Sequence, residues 1–124
     1  MTEEIHRMTR ILEIYLSRAE TAYESMASEN WAEFQVDMRQ RNIAFYNFRA
    51  ADHLMRFKDP NYLLQPHLFE LANKIRAVDK MLAESIKKYQ GRLNQQLIKI
   101  HGHRAKISKF HSGGQDQAGF QKTV

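Results

Sequence analysis

Six histidines are the residues best suited to chemistry in this 124-residue chain, because imidazole titrates near neutrality and binds metals. The tightest cluster is His101 and His103, with His111 further on. Ligands on one helix need a spacing of three or four residues; two apart, these rings point about 200° away from each other. No carboxylate lies between Glu84 and Asp116 to complete a shell, and the absence of cysteine removes any thiolate site. The cluster reads as solvated histidines in a basic stretch, and no metal or cofactor is expected.

The carboxylates suggest no catalysis either. Glu3, Glu4, Glu13, Glu20 and Glu24 fall off the apolar stripe of their helix, where a solvated face expects charge. Di-iron bundles need Glu-x-x-His motifs that face one another, and no such facing pair is present. A glycine-rich phosphate loop, a nucleophile elbow and a Walker lysine are also missing. A non-enzymatic role is therefore expected.

Charge is distributed unevenly. Residues 1 to 84 hold 11 Lys/Arg against 13 Asp/Glu, whereas residues 85 to 124 hold 8 against 1, so the net charge of +5 belongs to the C-terminal third. Lys87, Lys88, Arg92, Lys99, Arg104, Lys106 and Lys109 form this basic segment. They could hold phosphates, but Tyr89 and Phe110 are too few to stack bases. A solvated face, or a surface complementary to an acidic protein, is the simpler reading.

The elements that must position these residues are helices. Pro60 and Pro66 are the only prolines, and four of the five glycines lie at or beyond Gly102, which leaves long stretches without breakers. In the first stretch Ile5, Met8, Leu12, Tyr15, Ala19, Ala22 and Met26 alternate spacings of three and four, predicting a helix over 3–27. Ser28 or Asn30 can cap a second helix, with Glu33 three residues after Asn30 in a capping-box spacing. Its stripe is Trp31, Phe34, Met38, Phe45, Phe48 and Met55, and its large rings mark it as the helix around which the others pack.

Lys58-Asp59-Pro60-Asn61 ends that helix in a turn, and Pro66 suits the first turn of a third. The third stripe runs from Leu68, Leu71, Ile75, Val78 and Leu82 through Ile86, Tyr89, Leu93, Leu97 and Ile100. Gly91 is the place where it can kink or divide, at a cost of about 1 kcal/mol relative to alanine. The expected fold is all-α: an antiparallel three- to four-helix bundle over 1–111 and a disordered, glycine-rich tail over 112–124. Without cysteine, an apolar leader or an apolar run long enough to span a membrane, a cytoplasmic location and no membrane insertion are expected.

Arg41 stands on an apolar rung of the second helix. It must pair with a carboxylate such as Glu20 or Glu24, or lay its stem on aromatic rings. A structural role, shared with Trp31, Phe34, Phe45 and Phe48, is the reading adopted.

The stretch SENWAEFQVDMRQRNIAFYNF, Ser28 to Phe48, resembles the FliT/FlgN type of flagellar export chaperone: a helix end, a polar turn, a tryptophan, then an arginine ahead of an apolar pair. KIRAVDKMLAESIKKYQGRLNQQLIKIHGHRAKISKF resembles that family's long third helix, with its basic run ending in an aromatic. Together the likeness spans about residues 5 to 111. It implies a chaperone that binds the C-terminal amphipathic helix of an axial protein, such as a filament cap or hook-associated subunit, prevents premature assembly and docks at the export gate. The family's export-gate contact uses an aromatic, usually tyrosine, near the end of the helical part, and the matching residue is Phe110, which lacks the hydroxyl.

Helix length leads to the same surface. At 1.5 Å per residue, a third helix of roughly forty residues outreaches partners of about 25. Leu93, Leu97, Ile100, Ile107 and Phe110 would then be exposed unless they folded back or met a client. The runner-up is a helical adaptor or regulator acting as a coiled-coil homodimer, although aromatic rungs suit a coiled-coil seam poorly. A basic nucleic-acid-binding bundle ranks below it.

Overall fold

The computed structural model describes residues 2–111, with side chains described through Gly102. Among them are three helices and no strand: α1 (Glu3–Ala27), α2 (Trp31–Lys58) and α3 (Pro66–His111), with a 3-10 turn at Tyr62–Leu64. Contacts divide the chain into two compact units, Met1–Ile86 and Lys87–Val124. The flexible tail expected over 112–124 lies outside the described residues.

Local chemistry sets each helix end. Thr2 accepts a hydrogen bond from the Ile5 amide at 3.2 Å, and Glu3 and Glu4 complement the positive end of the α1 dipole. α1 stops in a Schellman arrangement, in which the Asn30 amide reaches the Ser25 carbonyl and the Glu29 amide the Met26 carbonyl, both at 3.1 Å. That arrangement needs a left-handed residue, and Glu29 supplies it with φ 57°, where glycine is usual.

Asn30 caps α2 through its side chain, which accepts from the Glu33 amide at 3.4 Å. Only this half of the expected capping box forms, because the Asn30 amide is already committed to Ser25. Asp59 closes α2 and accepts from the Asn61 amide at 3.0 Å in the Lys58–Asn61 turn. Pro66 opens α3, where a missing N–H has no cost. α3 continues through Gly91 unbroken, and a Cβ there would meet nothing within 4 Å.

In the first unit α2 runs antiparallel to α1: Asp37 meets Ser25 near one end, and Lys58 pairs with Glu4 at the other. α3 begins beside the start of α1, with Leu68, Leu71 and Ile75 joining Ile5, Met8 and Leu12 in one core. Full burial contributes about 1.5–3 kcal/mol for each of Met8, Leu12 and Leu68. Tyr62 of the 3-10 turn is also completely buried in that core.

The central helix is α1, which corrects the expectation for α2. Every residue of the α1 stripe is buried, whereas α2 buries only Asp37 and Ala44. The reason is steric. Ala19, Ala22 and Ala44 fit where backbones approach closely, while the rings of Phe45 and Phe48 are too large for that seam and lie half-buried over Tyr15.

Candidate functional site

Arg41 sits where the three helices of the first unit meet. Its Nη2 donates to Asp79 Oδ2 at 2.8 Å and to the Tyr15 hydroxyl oxygen at 3.0 Å, and its Nε donates to Asp79 Oδ1 at 3.3 Å. The Tyr15 hydroxyl in turn donates to Asp79 Oδ2 at 2.6 Å. The guanidinium also lies 5.4 Å from the ring centroids of both Tyr15 and Phe45. One carboxylate on α3 thus fastens a phenol on α1 and a cation on α2. Burial, followed by the hydrogen bond to Asp79, raises the Tyr15 pKa well above the ordinary phenol range.

The expected aromatic contact of Arg41 is present, but its carboxylate is Asp79 and not Glu20 or Glu24. Those glutamates are exposed on α1, turned away from the stripe that Arg41 crosses. A second phenol repeats the pattern: Tyr62 donates to Asp52, which also holds Arg56 Nε through both oxygens at 3.0 and 2.9 Å. Asp52 stands, like Arg41, on the inward stripe of α2, and these two partners account for a carboxylate there. Trp31 and Phe34 are half-buried and meet edge to face at 6.3 Å at the start of α2. The Arg41 and Tyr62 clusters tie α1, α2, the 3-10 turn and α3 to one another within the first unit.

The second unit has a different character. The α3 stripe that buries Leu82 continues with half-buried Ile86 and Tyr89, then with Leu93, Leu97 and Ile100 at 39, 48 and 50% exposure. Every residue from Gly91 to Ile100 is exposed. Lys88, Arg92 and Lys99 follow one another at helical spacing along one flank of this stripe. Arg92 lies 5.7 Å from the Tyr89 ring centroid. Of the remaining predicted site residues, the backbone at Ile107 and Phe110 is helical, and their side chains lie outside the described residues.

Compared with known proteins, the chain matches no family model, no curated protein and no solved structure. Its residues carry the functional reading alone. Among the described residues no group of three or more His, Asp or Glu is placed to hold a metal, and the single Glu-x-x-His spacing, Glu3 to His6, is exposed. Among them also, no helix is long and apolar enough to cross a membrane.

Sequence reasoning missed one surface. α2 carries a second apolar ladder, Val36, Ile43, Leu54 and Phe57 with Tyr46 beside it, on the side opposite its core stripe, with exposures from 49 to 85%. The seven-residue step from Val36 to Ile43 was the available signal. It is hidden in sequence because an apolar residue on nearly every side of a helix blurs the periodicity that marks one face.

Proposed function

We propose that this protein binds an amphipathic helix of another polypeptide and keeps it from assembling, in the manner of a flagellar type III export chaperone. The observation that carries the reading is the run of Leu93, Leu97 and Ile100: core-type residues at core-type spacing, exposed to water. Apolar stripes in that state lower their free energy by accepting a complementary apolar face, at roughly 25 cal/mol for each Å² removed from water. The basic flank at Lys88, Arg92 and Lys99 favours a client with carboxylates beside its own stripe.

The axial-subunit client and the export-gate contact at Phe110 come from the resemblance of residues 28–48 and 74–110 to the FliT/FlgN type. The test is a pull-down from lysate of flagellated source cells with the tagged chain, followed by mass spectrometry. Three baits are compared: the full chain, a truncation after Gln90, and the triple variant Leu93→Ser, Leu97→Ser, Ile100→Ser. Recovery of one axial flagellar subunit by the full chain, lost in both variants, is the expected result. Recovery of the chain alone, pointing to the coiled-coil dimer, or of nucleic acid removable by salt, refutes the reading.

A further inference from the structure

The outward ladder of α2 is a second surface, independent of the stripe just described. Leu54 connects it to a groove between α1 and α2, about 190 Å³ in volume, with Met8, Ile11, Ala51 and Met55 on its floor. From Val36 to Phe57 the ladder measures about 32 Å at 1.5 Å per residue, the length of a helix of roughly twenty residues. A largely apolar strip of that length suits a helix laid along it.

Charge decides which helix. Arg39 stands within the ladder between Val36 and Ile43, Arg49 borders it on one side and Arg7 lines the groove, and among the described residues none of the three makes an ion pair. The carboxylates of α2 are largely engaged elsewhere: Asp37 with Ser25, and Asp52 with Arg56 and Tyr62. Glu33, in the first turn, is the remaining one. At the groove, Glu4 is taken by Lys58. The surface is therefore largely apolar, with unpaired cations within it and beside it.

We infer that this face docks an amphipathic helix from a different polypeptide, one whose apolar stripe is bordered by aspartate or glutamate. A second copy of this chain fits poorly. Two α2 faces brought together would gather the unpaired arginines of both copies with only Glu33 of each α2 left to meet them, and the stripe of residues 93–100 is bordered by Lys88, Arg92 and Lys99. Like charges juxtaposed across an interface are a means by which wrong partners are rejected.

The chain has no cysteine, so single-cysteine reporters are clean. Asn47→Cys places an environment-sensitive bimane on the α2 face, and Gln96→Cys places one in the second unit. The probe is a synthetic twenty-residue helix with a leucine stripe bordered by glutamate; its control has lysine at every glutamate. Saturable quenching or shift at position 47 by the acidic peptide is expected, with binding at least tenfold weaker for the lysine peptide. The exposed pair Ile43→Ser and Leu54→Ser should weaken the position-47 response at least tenfold and leave the helical circular dichroism unchanged. A response only at position 96 overturns this inference while leaving the chaperone reading intact. Equal binding of the two peptides overturns it, as does a dimer in light scattering that the serine pair abolishes.

Discussion

Replacing Asp79 with alanine removes the acceptor of three hydrogen bonds that join α1, α2 and α3, two from Arg41 and one from Tyr15. A hydrogen bond to a charged group contributes about 1.5–3 kcal/mol, and breaking a fully buried ion pair costs about 3–5 kcal/mol because the remaining charge is stranded. Here Arg41 and Asp79 keep 19 and 23% of their side-chain surface in water, which screens the stranded cation. A loss of about 2–3 kcal/mol is the resulting expectation for Asp79→Ala, with Asp79→Asn retaining about half of the stability through its carbonyl oxygen. Trp31 is the only tryptophan, so urea unfolding followed by its fluorescence and by far-UV circular dichroism reports the first unit. A cycle with Arg41→Met should give a coupling of about 1–2 kcal/mol, since removing both partners leaves no unpaired charge. A loss below about 0.5 kcal/mol, or strictly additive single losses, would refute the assignment of this junction as the lock between helices.

Alkaline pH is a further probe, because burial first, and then hydrogen bonds to Asp79 and Asp52, hold the Tyr15 and Tyr62 phenols protonated above their ordinary value of 10.0. The unfolded chain releases these protons near pH 10 while the folded chain keeps them, so their stabilising contribution is fully present below that pH and is lost as pH rises through the folded values. Urea titrations from pH 9 to 11.5 should show a decline in stability that is shallower in Tyr15→Phe/Tyr62→Phe. Ser25→Ala removes the hydrogen-bond donor to the buried Asp37 and should cost about 1–3 kcal/mol, with most of the loss recovered when Asp37 is replaced as well. Glu29→Gly relieves a left-handed residue at the α1–α2 turn, and thermal unfolding should show a gain of about 0.5–1 kcal/mol; a loss would show that the glutamate side chain outweighs its backbone strain.

What the sequence determined is what local physics controls. The α1 stripe from Ile5 to Met26, the stop before Pro60, the start at Pro66 and the Asn30 cap follow from periodicity, the fixed φ of proline and short-range capping, none of which requires knowledge of the rest of the chain. The unusual exposure expected for Leu93, Leu97 and Ile100 was legible for a similar reason, since helix lengths can be compared before any packing is known. Tertiary structure alone decided the rest. Arg41 selects Asp79 over two glutamates because the relative register of three helices determines which carboxylate comes within reach, and register is not encoded in any single stripe. Likewise the large rings of α2 marked it as the centre of the core, whereas alanines at the seam let α1 take that place. Burial depends on how closely two backbones approach, and that distance is set jointly by the facing side chains of both helices.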